Sequence, residues 1–460
     1  MHSPVLPGSR GAPGAPGAPG APLAPAPPLS ASVILPMTPG AGGAGTLVAN
    51  GGALPRSERL PVLDILRGFA LMGILIMNMP GFSTSFFAEA DGSHLWTSTL
   101  DQLAEQLRDM LFSGKFNSMF GLLFGIGFTI QYTRMQQTDP QHADRIYLRR
   151  LLVLAALGIF HAFIFWPGDV LHTYAILGIF VLFGLKRVSD RGILVGIGLC
   201  LLYPLASGLL RLVVITKEMT AERVKVAQAF EISNNVAFGQ GSFVDAVVEN
   251  SRMMVHFYDN LLSLWGILGW WVMMLLTVLI GLLAGRRRWA QRVPELMPKI
   301  RRLTWWLLAI GLACGAAFTV IFELNRLPGP SPIKLLGSLC YGISRLAMML
   351  FYVMVIVQLS QRAAWQRVFA PLAAAGRMPL TNYLMQTLIC TTIFNGWGLG
   401  LYGQMGPAAG LALSLAIFWA VQVPFSLWWL KTYDRGPLEG LWGRLTYGRK
   451  HAAEITAAGR

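Results

Sequence analysis

The chain has 460 residues, 54% of them hydrophobic and only 13% charged, with a formal net charge of +15. A water-soluble domain of this length needs far less apolar sequence, so the balance excludes one and makes the lipid bilayer the surrounding partner. Nucleic acid is excluded as a partner as well, because the Lys and Arg residues fall in the gaps between apolar runs, as orientation signals do.

Residues 1–55 stand apart by composition. GlyAlaPro triplets repeat from Gly11, too few for a triple helix, and the prolines interrupt every apolar core that a cleavable signal would need. A disordered tail is expected there, with Met37 as an alternative first residue. Residues 56–449 read as one polytopic domain and 450–460 as a flexible tail.

About ten spans of roughly 20 residues are expected in that domain. They lie near 62–81, 110–132, 148–166, 169–185, 192–215, 260–284, 303–322, 335–359, 379–400 and 407–430. The fold class is therefore all-α, a membrane helical bundle. Arg145, Arg149 and Arg150 follow the second span, Lys186, Arg187 and Arg191 the fourth, and Arg286, Arg287 and Arg288 the sixth. Arg362 and Arg367 follow the eighth, and Lys431 and Arg435 the tenth. Basic residues in every even gap predict that both termini face the cytoplasm.

The first span carries Asp64 and Arg67, whose i, i+3 spacing places them on one face where they can neutralise each other. Ionisable groups are costly in hydrocarbon, so this pair marks a functional or architectural site. In the second span Lys115 sits at the outer boundary, where it can snorkel, and Gly121 and Gly125 suit close helix approach.

The stretch from His161 to Ala175 is chemically the richest. The third span ends in it and the fourth begins, which crowds His161, Asp169 and His172 into one outer hairpin. A carboxylate beside an imidazole fixes its tautomer and stabilises its cation, as a general base requires. The same residues also read structurally, with Asp169 capping the fourth helix and His161 satisfying a buried hydrogen bond. Two His and one Asp suit a metal in type but define no metal motif, so no metal is assigned.

Further along, 216–258 is the largest outer loop, and its AlaGluArgValLysValAlaGlnAlaPhe pattern from Ala221 suits an interfacial amphipathic helix. The stretch Gly376 to Gln386 carries Arg377, Thr381, Asn382 and Gln386 into the ninth span, as interhelical glue or as the lining of a polar cavity. Cys200, Cys314, Cys340 and Cys390 lie in apolar segments without CxxC or metal spacing and read as small core residues. No Rossmann fingerprint or redox motif is present, and nothing sets an oligomeric state.

Taken in order, the LeuAspIleLeuArgGlyPhe start, the PheGlyLeuLeuPheGlyIleGly segment, the His161–Ala175 hairpin, the Gly376–Gln386 stretch and GlyProLeuGluGlyLeuTrpGlyArg from Gly436 resemble the bacterial YeiB-like membrane proteins, which carry the domain of unknown function 418. That resemblance implies a bacterial inner-membrane location. The first span is also similar to that of the transmembrane acyltransferases that include heparan-alpha-glucosaminide N-acetyltransferase. This second resemblance implies an acyl-CoA co-substrate entering from the cytoplasm, an acceptor on the far side, and an outer Asn and His after the first span, at Asn78 and His94 here. No permanently bound cofactor is expected.

The residue chemistry accommodates acyl transfer. Arg67, Arg149, Arg150 and Arg377, with Asp64 and Asn382 nearby in the sequence motifs, form an inner set in which guanidinium groups match phosphate geometry. His161, oriented by Asp169, would deprotonate a lipid, glycan or small-molecule acceptor. The competing reading is a transporter or exporter using Asp64 and Arg67 as a proton relay, although the halves show no self-similarity. A scaffold role leaves the intramembrane charges without a task.

Overall fold

The computed structural model describes residues 60–259 and 267–448. The Pro/Gly/Ala-rich stretch over 1–55 and the tail over 450–460 lie outside the described residues. Among the described residues the chain is helical, without strands. In chain order the helices are α1 (Pro61–Ser83), α2 (Thr99–Leu111), α3 (Lys115–Thr138), α4 (Ala143–Ile164) and α5 (Leu171–Phe180), which runs on as a π-helical turn to Leu185. Next come α6 (Asp190–Val214), α7 (Lys217–Gly239), α8 (Phe243–Asp259), α9 (Leu268–Arg286), α10 (Val293–Leu324) and α11 (Pro332–Ser360). The last are α12 (Ala363–Val368), α13 (Ala370–Gly376), α14 (Pro379–Phe394), α15 (Pro407–Ala416), α16 (Val423–Thr432) and α17 (Pro437–Tyr447). A π-helical segment, Ile417–Gln422, joins α15 to α16.

The chain is a multi-pass membrane protein. Among the described residues seven helical rods are long and apolar enough to cross a membrane by length and composition: α1, α4, α6, α9, α10, α11 and the α15–α16 rod. Each of the ten expected positions holds a helix among the described residues, with 260–266 of the sixth lying outside them, but three are of a different kind. The apolar helix Leu171–Leu185 is short, α14 has 16 residues, and α3 begins with the polar residues Lys115, Asn117 and Ser118. The loop expected to hold one amphipathic helix holds two, α7 and α8, which turn at 240–242.

Local chemistry explains where the helices start. Pro61, Pro332, Pro379 and Pro437 occupy first turns, where a missing N–H costs nothing and φ is already helical. Ser98, Ser189, Thr216 and Ser331 cap α2, α6, α7 and α11 by accepting a backbone N–H. The π-helical stretch precedes Pro424, which cannot donate in the helical ladder.

Small residues then set the packing. A Cβ on Gly68 would stand 1.9 Å from the Leu372 carbonyl oxygen, and one on Gly376 would stand 1.9 Å from that of Asp64, so α1 and α13 touch backbone to backbone. Gly125 and Gly281 do the same for α3 and α9, and Gly121 fits against the Thr277 side chain of α9, in line with the spacing of Gly121 and Gly125 in the sequence. The basic loops gather at one end of this bundle. Arg286 donates to the Leu185, Lys186 and Val188 carbonyls, Arg287 pairs with Asp190 at 3.0 Å, and Lys186 pairs with Asp144.

Candidate functional site

The α4–α5 connection is short enough to fold His161, Asp169 and His172 into one buried cluster. Their exposures are 2%, 3% and 6%. Asp169 lies between the two rings: Oδ2 is 2.8 Å from His161 Nδ1, and Oδ1 is 2.8 Å from His172 Nδ1. Oδ1 also accepts the His172 backbone N–H at 3.1 Å. Asp169 therefore caps α5 and orients two imidazoles at once, so the structural and chemical readings of the hairpin coexist in one side chain.

An ionised carboxylate only accepts hydrogen bonds, so each ring presents Nδ1–H to Asp169, and the neutral form of each has its lone pair on Nε2. The two lone pairs have different fates. His172 Nε2 accepts from the Tyr258 hydroxyl at 2.5 Å, whereas His161 Nε2 is buried without a hydrogen-bond partner among the described residues. The base that remains open is His161. Its ring packs against Tyr383 of α14 at 5.5 Å, and the Tyr383 hydroxyl accepts the Val170 N–H, which holds the hairpin against α14. No group of three or more His, Cys, Asp or Glu among the described residues is arranged to hold a metal ion.

His94 sits elsewhere, in the α1–α2 connection, with Nε2 3.0 Å from Glu323 Oε1 and its Nδ1 buried without a hydrogen-bond partner among the described residues. It lines a cavity of about 230 Å³ with Glu105, Asp109 and Arg326. Burial pushes the Glu105 carboxyl up despite the adjacent Arg108. Asn78 is half-buried on α1, and no hydrogen bond links it to His94 or to the α4–α5 cluster.

The residues expected on the cytoplasmic side fall in separate places. Asp64 and Arg67 pair with each other at 2.6 Å beside the α1–α13 contact. Arg377 donates to the Asp434 carbonyl. Arg150 stacks on Trp442 of α17 at 3.6 Å while the Trp442 indole donates to the Arg150 carbonyl, and Arg149 is exposed beside it. Asn382 joins none of them, since it is fully buried and donates to the Ala375 carbonyl and the Ser426 hydroxyl. Its amide binds helices together. Gln386 and Gln422 extend that network by a 2.9 Å bond between them, and Gln386 reaches the Leu71 carbonyl.

Several participants escaped the sequence reading. Glu439 accepts the Leu380 and Thr381 N–H groups and the Thr381 hydroxyl, and so caps α14 from α17. Tyr258 and Tyr383 carry no local signal. Arg345 does: it is an arginine inside an apolar run, the same cue that drew attention to Asp64 and Arg67, and it is 3% exposed. Lys115, expected to snorkel, instead turns inward at 0% exposure, donating to the Asp109 carbonyl and facing the Tyr341 ring.

Comparison with known proteins adds relatives over nearly the whole chain. The family model "Protein of unknown function (DUF418)" matches residues 284–449. The chain is 30% identical over 409 residues to "Uncharacterized protein YxaH" of Bacillus subtilis, covering 85% of this chain and 95% of that one. It is 28% identical over 412 residues to "Uncharacterized protein YeiB" of Escherichia coli, covering 85% and 96%. A Bacillus acidopullulyticus relative, an "Uncharacterized 39.9 kDa protein in amylase 3'region", is 27% identical over 395 residues, covering 85% and 95%. No solved structure matches the chain.

Proposed function

The chain belongs to the YeiB-like family that carries the DUF418 region, and from that premise and the α4–α5 cluster we propose that it transfers an acyl group from acyl-CoA to an extracytoplasmic lipid, glycan or small molecule. The observation that carries the reading is the unequal pair of imidazoles on Asp169, of which only His161 keeps a free Nε2 lone pair. In the reaction the acceptor hydroxyl or amine attacks the thioester carbonyl carbon. A C–O or C–N bond forms, the C–S bond breaks, the acceptor proton passes to His161 Nε2, and the thiolate leaves and takes that proton back. Asp169 stabilises the imidazolium in between.

The basic end of the bundle supports a cytoplasmic placement of both termini in an inner membrane. On that side Arg67, Arg149, Arg150 and Arg377 are the groups suited to the donor's phosphates. The Asp64–Arg67 pair would open, and Arg150 would leave one ring face of Trp442, for that contact.

The test is label transfer from acetyl-CoA to membrane-extracted acceptors by purified wild type, His161→Ala, Asp169→Asn and His94→Ala. Loss of about 10²- to 10⁴-fold in the first two variants, with His94→Ala near wild type, is the expected result. Equal transfer by wild type and His161→Ala removes His161 from the mechanism, and loss confined to His94→Ala moves the base to the imidazole paired with Glu323. Substrate accumulation by sealed vesicles without any acyl donor would favour a transporter instead.

A further inference from the structure

A second cation-rich region lies away from the Asp169 cluster. Between α6, α7 and α11 is a cavity of about 1050 Å³. One wall is a single face of α11: Lys334, Ser338, Tyr341 and Arg345, spaced i, i+4, i+7 and i+11. From Lys334 to Arg345 that stripe descends roughly 17 Å into the bundle at helical rise. The opposite wall is apolar and aromatic, with Phe86, Phe257, Trp270 and Leu212.

The charges of this region do not balance. Arg211, Lys334 and Arg345 line the cavity against one carboxylate among the described residues, Glu222. Arg345 is 3% exposed, and its guanidinium donates to the Ser118 hydroxyl and the Met274 sulfur. No carboxylate of the described residues lies within 4 Å of it. Lys115, fully buried, stands beside the same place, for Gly114 fits against both Tyr341 and Arg345. Nor is Lys115 paired with a carboxylate among the described residues; it donates to a carbonyl. At the rim Arg211 Nε is buried without a hydrogen-bond partner among the described residues. Two buried cations side by side, neither in contact with a carboxylate of the described residues, are costly, and an anion brought from outside offsets that cost.

We propose that this cavity binds a phosphate-headed amphiphile, with the phosphate seated at Arg345 and drawn in by the rim cations while the hydrocarbon lies on the aromatic wall. A phosphate matches the Arg345 guanidinium with the Lys115 ammonium beside it, and the volume far exceeds that of a free inorganic ion. The proposal stands on the cavity's charge and is independent of acyl transfer, so failure of label transfer leaves it intact.

Its test is direct binding of dodecyl phosphate to the full-length protein held in a neutral glycoside detergent, with inorganic phosphate and a neutral dodecyl glycoside as comparisons. Wild type should bind dodecyl phosphate at least about tenfold more tightly than either comparison, and Arg345→Gln should abolish that preference. Should Arg345→Gln fail to fold, Arg211→Gln and Lys334→Gln at the rim should each still weaken binding several-fold. Binding of inorganic phosphate as tight as that of dodecyl phosphate overturns the amphiphile, and unchanged binding in the rim variants overturns the site.

Discussion

Glu439 shows how one side chain couples two distant segments. From α17 it accepts two backbone N–H groups and a hydroxyl at the start of α14, so the C-terminal helix supplies a cap that α14 lacks in its own sequence. Burial raises the proton affinity of this carboxyl, while the hydrogen bonds from Thr381 and the backbone oppose the rise. A folded pKa above the unfolded one means that the protonated form adds stability below the ordinary carboxylate range. That increment is lost as pH rises through the raised folded value. The melting-temperature difference between wild type and Glu439→Gln should therefore shrink from about pH 4 to about pH 7; a difference that widened with pH would contradict the burial argument. Glu439→Ala, which removes the cap altogether, should cost about 1 kcal/mol.

Among the elements, the α1–α13 contact is the one with least room. The Leu372 carbonyl that a Gly68 methyl would meet is backbone, so it cannot move without moving α13. Gly68→Ala is expected to lose about 1–3 kcal/mol through overpacking and to loosen the Asp64–Arg67 neighbourhood. Gly440 offers the contrast, because a Cβ there meets nothing within 4 Å and α17 is a helix interior. Gly440→Ala should gain about 0.5–1 kcal/mol. Thermal unfolding of the two variants in one detergent checks the pair, and a Gly68→Ala protein as stable as wild type would show that the backbone contact is looser than its geometry.

For the molecule as a whole, the sorting of charge is the basis of the proposed orientation. Arg286 and Arg287 tie the α9 end to the α5–α6 corner, and Arg150 ties α4 to α17, which gathers the basic groups at one end. The α7–α8 turn and the Glu89–Arg326–Glu323 pairs are connected through other loops. An epitope inserted at 240–242 should be reached by antibody on intact spheroplasts, and one at 289–291 only after permeabilisation. The reverse pattern would invert the proposed orientation and place the acyl donor on the wrong side.

The apolar runs by themselves determined the all-helical membrane class, the positions of the rods and the meeting of His161, Asp169 and His172, because hydrocarbon demands internally bonded helices and a short connection leaves nearby residues little freedom. Gly121 and Gly125 likewise announced their close approach through spacing alone. Only the tertiary structure decided which imidazole keeps its lone pair, since Tyr258 reaches His172 from 86 residues away. It also decided that Lys115 turns inward beside Arg345, that Asn382 holds helices together, and that α17 caps α14. Each of these depends on a partner brought in from another helix, and a side chain's partner across the bundle leaves no periodic trace in the chain that carries it.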